Sequence, residues 1–200
     1  MEEMANLVSS GKCIVYPTST QPALGCIPIP SALDDLFRIK KRPTNMPVSI
    51  GVASITQAEE LVEVPEDAYL ILGDFPDGSL TLILKAKNKL DVRLGGSSVA
   101  IRVVSHPIAR ELISIVGPLT ATSANHSGEI VVRDCLEAAK ILSTPENPVI
   151  GIEGVCPGGE PSTLISWHTT CESSERSTIE VVREGKISSG EIYSWWQKRT

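Results

Sequence analysis

Four short segments of this 200-residue chain put hydroxyl, amide and cationic groups where strands end and loops begin. Those are the positions at which α/β sheets assemble their sites. In YPTSTQPALGC (16–26), Thr18, Ser19 and Thr20 follow a strand that ends at Pro17, so three hydroxyls and several amides face a polar ligand or simply make a turn. In RIKKRP (38–43), Arg38, Lys40, Lys41 and Arg42 crowd the end of a helix stopped by Pro43. Such a run either complements the helix dipole or binds a polyanion. In AIRVVSHP (100–107), Arg102 interrupts an apolar strand and needs an anion, either an internal carboxylate or a ligand. In PLTATSANHSGE (118–129), Thr122, Ser123 and Asn125 end a strand in a donor-rich turn that could equally be a structural cap.

Apolar, β-branched runs at 13–18, 47–53, 79–86, 98–104, 118–124, 148–154, 162–167 and 178–184 predict eight strands in a large sheet. Helices between them are predicted from Ser31, from Thr56 with Glu59, from Ser105 with Pro107, and from Asp134 with Glu137. Strands alternating with helices of this length mean a sheet layered with helices. The polar stretch 168–177 reads as an insertion between two strands, and SSGEIYSWWQKRT as a short helix packing Ile192, Trp195 and Trp196, or a frayed tail.

Composition narrows the function classes. With 42% hydrophobic and 21% charged residues the chain folds as a globular domain. A net charge of −6 excludes wrapping nucleic acid by bulk electrostatics, so a polyanion must meet a local basic patch. No apolar run is long enough to span a bilayer and the first residues lack the pattern of a leader, which predicts a cytoplasmic protein without a membrane partner. Cys13, Cys26, Cys135, Cys156 and Cys171 are widely spaced, with no CxxC pair and three histidines without ligand spacing, so they read as reduced, buried thiols and no metal site is expected. His106, before Pro107, reads as the start of a helix. Phosphate-loop, dinucleotide, hydrolase-elbow and zincin motifs are missing.

Taken in order, YPTSTQPALGC, the Lys-x-Arg of IKKRP, AIRVVSHP, TSANHSG, GGEPSTLIS and VVREGKIS resemble the YrdC family, the threonylcarbamoyl-AMP synthases, from about residue 8 to 188. The resemblance implies an α/β fold, a YrdC-like twisted mixed sheet with flanking helices and a wide basic cleft, over residues 1–186, with 187–200 a short C-terminal tail or helix. It implies condensation of L-threonine, bicarbonate and ATP to threonylcarbamoyl-adenylate and pyrophosphate, Mg²⁺ being bound through the ATP phosphates. A partner threonylcarbamoyl-transferase complex then modifies tRNA. The family's tetrad falls on Lys40, Arg42, Ser123 and Asn125, the implied catalytic residues. ATP is implied to meet Lys40, Lys41, Arg42, Ser98, Ser123, Ala124, Asn125 and Arg183, and threonine to meet Thr18, Thr20, Arg102, Thr122 and Thr163.

Lys40 and Arg42 suit the charge of a phosphoryl transfer that asks the protein for positioning and charge stabilisation, and Arg102 suits bidentate grip of a carboxylate. The chain departs from the family's YPTET and VYGLGC at Ser19 and at Gln21, Pro22 and Ala23, from a usual histidine at Met46 and from a proline at Ser79. These departures predict a weakened preference for threonine. The alternative function is an RNA-binding or accessory protein of the same fold, since a basic cleft holds RNA as readily as ATP.

Overall fold

Residues 1–168 and 178–199 are described by the computed structural model. Apart from His168, the polar stretch 168–177 lies outside the described residues, and so does Cys171. The chain opens with helix α1 (Glu2–Ser9), strands β1 (Ile14–Tyr16) and β2 (Ala23–Gly25), helix α2 (Pro30–Lys40) and strand β3 (Ile50–Val52). It continues through α3 (Ile55–Ala58), α4 (Glu66–Asp74), β4 (Leu80–Lys85), β5 (Ser98–Val103) and α5 (Pro107–Val116). Two very short strands follow, β6 (Leu119–Thr120) and β7 (Thr122–Ser123), then α6 (Cys135–Leu142), β8 (Ile150–Gly151), β9 (Thr163–His168), β10 (Thr178–Arg183) and α7 (Ser189–Gln197).

The strands form two mixed sheets rather than one. The smaller has the order β7-β2-β1-β8 and the larger β10-β9-β4-β5-β3-β6. The run 118–124, expected as a single strand, divides because Ala121 is the point at which the chain leaves the large sheet for the small one. Before it, β6 pairs antiparallel with β3; after it, β7 pairs antiparallel with β2. Both sheets contribute to the principal core, which takes Val15 and Leu24 from one, Leu82, Ile101 and Ile165 from the other, and Leu33 and Leu36 from α2. A second cluster, including Val8 of α1 and Leu112 and Ile113 of α5, buries Ile14 and Tyr16 from the other side.

Local signals explain most helix boundaries. Asp134 caps α6 as expected, its carboxylate accepting from the amides of Leu136 and Glu137 at 2.8 and 2.9 Å. The start expected at Ser31 moves to Pro30, whose fixed φ suits the first helical position, leaving Ser31 inside the first turn. Ser54 rather than Thr56 caps α3, accepting from Gln57 N at 3.2 Å, and that helix ends before Leu61 and Val62. Helices α1 and α4 and strand β2 are additions to the expected set; β2 hides in a segment whose Pro and Gly content reads as loop. Helix α7 is formed, with Ser188 and Glu191 in a reciprocal capping box and Ile192 buried.

The sheets are tied at Thr120. Its amide donates to Cys26 O at 2.9 Å, its hydroxyl accepts from Cys26 N at 2.9 Å, and its carbonyl accepts from the buried Tyr16 hydroxyl at 2.9 Å. Gly25 is needed beside it, since a Cβ there would lie 2.8 Å from Thr120 O and against the Tyr16 ring. Tyr16→Phe keeps the ring and leaves a buried carbonyl without its donor. We expect a loss of about 1–2 kcal/mol in urea unfolding with unchanged slope; an unaltered midpoint would show that the tie is dispensable.

Candidate active site

A cavity of about 330 Å³ opens at the junction of the two sheets. Its lining includes Thr20 and Pro22 before β2, Arg42 and Ser49 between α2 and β3, Arg102 of β5, Thr122 and Ser123 of β7, and Arg183 of β10. Six positions expected at the site, Thr20, Arg42, Arg102, Thr122, Ser123 and Arg183, are thereby brought together from segments up to 163 residues apart in number.

Arg102 has the most demanding position. It is 8% exposed, and among the described residues it forms no ion pair. Nε donates to Gly78 O at 3.2 Å, while Nη2 donates to Gly78 O at 2.8 Å, to Thr20 Oγ1 at 3.0 Å and to Ser19 Oγ at 3.3 Å. Of the two partners left open by the sequence, the internal carboxylate is therefore not found. Burial lowers the guanidinium pKa, and the Arg183 charge adds to the effect. Gly78, at φ +72°, presents its carbonyl from a left-handed turn where a Cβ would lie 2.6 Å from Ser19 Oγ and 2.7 Å from Ser105 Oγ.

Lys40 does not line the cavity. The apolar stripe Leu33, Leu36, Phe37 continues to position 40, so the helical period carries Lys40 onto the buried face, where it is 1% exposed. Its Nζ donates to Ser123 O, to Asn125 O at 2.8 Å and to Asn125 Oδ1 at 3.2 Å. The turn is closed by Ser123 Oγ donating to Asn125 Oδ1 at 2.7 Å and by the amide of Ser127 donating to Lys40 O at 2.8 Å. The four tetrad residues thus touch one another in part: Lys40 holds the Ser123–Asn125 turn from behind, and Arg42 faces the cavity. Lys41, exposed and left-handed at φ 51°, ends α2 and turns the chain so that Arg42 can do so. Arg42 Nε and Nη2 donate to the carbonyls of Met46 and Pro47 at 2.7 and 3.0 Å. Arg183 Nη2 donates to Ser162 O at 2.6 Å. Burial lowers the pKa of both arginines.

Other expected residues lie around the cavity rather than on it. Thr18 Oγ1 donates to Gln21 O at 2.7 Å and accepts from Thr20 N at 3.1 Å, shaping the turn that presents Thr20. Thr163 occupies the face of β9 opposite Ser162 and Leu164, its hydroxyl donating to Ile187 O at 2.5 Å and accepting from the amides of Gly185 and Ile187. Ala124 and Asn125 are buried behind Ser123. Ser98 is exposed at the far end of β5, on the face it shares with Ala100 and Arg102. Sequence reasoning missed the hydroxyls of Ser49, Thr81 and Ser162 and the role of Gly78. Thr81 and Ser162, 2.7 Å apart, could have been found only from strand periodicity once the sheet face was known. Among the described residues no group of His, Cys, Asp and Glu could hold a metal, and the oxygens lining the cavity are neutral.

Two mixed sheets sharing one strand path, with three arginines and a row of hydroxyls at the crossing, define an α/β protein whose cavity could hold an anion, since among the described residues no acidic side chain lines it. A family model, Sua5_yciO_yrdC, described as telomere recombination, matches residues 6–185, and the chain belongs to that family. It is 33% identical over 188 residues to a putative threonylcarbamoyl-AMP synthase of Methanocaldococcus jannaschii, covering 94% of this chain and 86% of that one. It is 32% identical over 152 residues to the threonylcarbamoyl-AMP synthase of Pseudomonas aeruginosa, covering 74% and 82%. Pyrococcus abyssi Sua5, solved with L-threonine, superposes with a TM-score of 0.79 at 30% identity over 96% of this chain. The match spans 56% of the length of that protein.

Burial, and secondarily the charge of Arg42, brings the Lys40 pKa down to about 7, against about 10.4 for an unfolded lysine. Between these values the unfolded chain holds a proton that the folded one has released, so the Lys40 contribution to stability rises with pH from about 7 to about 10. Thermal unfolding of wild type and Lys40→Met over that range should show wild type gaining on the variant as pH increases; parallel curves would place the lysine in water.

Proposed function

We propose that this chain is an L-threonylcarbamoyladenylate synthase, a nucleotidyltransferase acting in the cytoplasm. The observation that carries the reading is Arg102, buried beside the hydroxyl of Thr20 and opening on a cavity with no carboxylate to neutralise it. A threonine carboxylate supplies the missing anion, and the hydroxyls of Thr20 and Thr122, which line the same cavity, are assigned to its remaining polar groups. The relatives named for this synthesis and the threonine-bound P. abyssi protein support the assignment.

Threonine and bicarbonate first give the carbamate and water. A carbamate oxygen then attacks the α-phosphorus of ATP, forming the new P–O bond as the bond to pyrophosphate breaks. Charge accumulates on phosphoryl oxygens, and the protein's part is placement and charge stabilisation. Arg42 and Arg183 both line the cavity and are assigned to the triphosphate. Ser123 is assigned to the nucleotide from the β7 turn, with Lys40 holding Ser123, Ala124 and Asn125 in register from behind. Lys41 is assigned a peripheral phosphate contact and Ser98 the far end of the nucleotide, along the face of β5. Thr18 and Thr163 act through the turns they fasten. With only neutral oxygens in the lining, a Mg²⁺ ion is assigned to the ATP phosphates, where it would add to charge neutralisation. The adenylate is passed to the transferase complex that modifies tRNA.

Purified protein should release pyrophosphate from ATP only when threonine and bicarbonate are both supplied; release indifferent to them removes the synthase reading. Arg102→Ala should weaken threonine binding in calorimetry by about tenfold or more while ATP binding persists. Arg42→Ala should instead lower kcat by about a hundredfold, with folding intact by circular dichroism. A rate within about twofold of wild type would remove Arg42 from the phosphoryl chemistry.

A further inference from the structure

On the other side of the Pro76–Gly78 turn lies a second cavity, of about 280 Å³, between α3, α4 and the end of β5. That is room for a ligand of amino-acid size. Leu72, Phe75, Leu80 and Val103 provide apolar walls, and two charged residues, Asp77 and Arg110, share the lining. Both are exposed, and among the described residues neither side chain makes an ion pair or hydrogen bond, with the other or with any group. An opposite pair of free charges over an apolar pocket is complementary to a zwitterion with an apolar side chain.

The wall is also held in place before any ligand arrives. Asp74 Oδ2 accepts from Trp195 Nε1 at 2.8 Å and from Arg199 Nη2 at 2.5 Å, pinning α7 to the end of α4, and the Trp195 ring stands 6.4 Å from that of Phe75. Preorganisation of this kind reduces the ordering cost of binding. The same turn reaches the first cavity, because Gly78 lines the second while its carbonyl accepts two N–H bonds from Arg102.

We propose that this second cavity is a binding site for a free α-amino acid with an apolar side chain, its ammonium on Asp77, its carboxylate on Arg110 and its side chain against Phe75 and Leu80. The site is independent of the reaction proposed above.

The test is calorimetric titration of the full chain with L-leucine and L-phenylalanine. Wild type and Arg102→Ala should bind at least one of them with similar affinity, while Arg110→Gln and Asp77→Asn each lose about tenfold or more. Both substitutions lie on the surface and should leave thermal unfolding and basal pyrophosphate release unchanged. 4-Methylpentanoate and 3-methylbutylamine, each lacking one charge of leucine, should bind about tenfold or more weakly. Leucine binding that disappears in Arg102→Ala and survives in Arg110→Gln would put the ligand in the first cavity and overturn the proposal. So would the absence of saturable heat from both amino acids. Leucine binding without any threonine binding would keep the second site and reject the synthase assignment instead.

Discussion

The passage of one strand from the large sheet to the small one at Ala121 is the constraint from which the site follows. A chain that changes sheets must satisfy its backbone on both sides of the change. Here the amide of Ala121 donates to Ser49 O at 2.8 Å, its carbonyl accepts from Ser49 Oγ at 2.6 Å, and Thr120 is bonded to Cys26 and Tyr16. Because β6 is fixed to β3 and β7 to β2, the sheets cannot close on one another at this corner, and the gap between them is the arginine-lined cavity. The residues that face it come from strand ends and the turns after them. Their positions are therefore set by backbone pairing, with side-chain rotamers only the last step.

Charge is arranged against the average of the molecule. A chain of net charge −6 directs Arg42, Arg102 and Arg183 into one cavity and buries Lys40 behind it, with no acidic residue in the lining among the described residues. Burial depresses the pKa of all four cations, which expresses a desolvation cost that is largest for the almost wholly buried Lys40 and Arg102 and is reduced by solvent at the half-buried Arg42 and the exposed Arg183. Carbonyl oxygens of Ser123, Asn125, Gly78, Met46, Pro47 and Ser162 recover part of it. An anionic ligand recovers more. Unsatisfied electrostatics of this kind favours small anions locally even where the bulk charge would repel them.

Much of this could be read from the sequence, and the parts that could not share a cause. The strand runs containing Arg102 and Arg183 and the helix ending at Lys40 are long enough for periodicity to declare them. Strand β2, at three residues amid Pro and Gly, and the two-residue strands β6 and β7 are below the length at which alternation is visible. The same limit concealed the second sheet. Lys40 is legible as a chemically interesting cation, and the stripe Leu33, Leu36, Phe37 puts position 40 on the buried face of the helix, away from the solvent-facing end that a basic run suggests. Thr163 shows the converse: a residue named by resemblance, whose strand parity turns its hydroxyl away from the cavity to fasten the Gly185–Ile187 turn.

The departures from the family's usual residues differ in physical weight once their contacts are known. Met46 serves Arg42 through its carbonyl, which any side chain leaves available, and Pro22 likewise accepts the Ala124 amide through its own at 2.9 Å. Gln21 replaces an apolar residue but spends its amide on Gly159 O at 3.0 Å. Ser79 is fully buried with a hydroxyl that finds no partner among the described residues, a local cost of about 1–3 kcal/mol that leaves the cavity's charge untouched. Ser19 is different in kind. Its hydroxyl lies 3.3 Å from Arg102 Nη2, at the position where the family's usual glutamate would bring a carboxylate within reach of the same guanidinium. A carboxylate there would neutralise Arg102 internally and compete with any ligand for it. A serine only orients it. With serine at this position the guanidinium keeps its charge without an internal ion pair, and the hydroxyls of Thr20 and Thr122 face the same cavity.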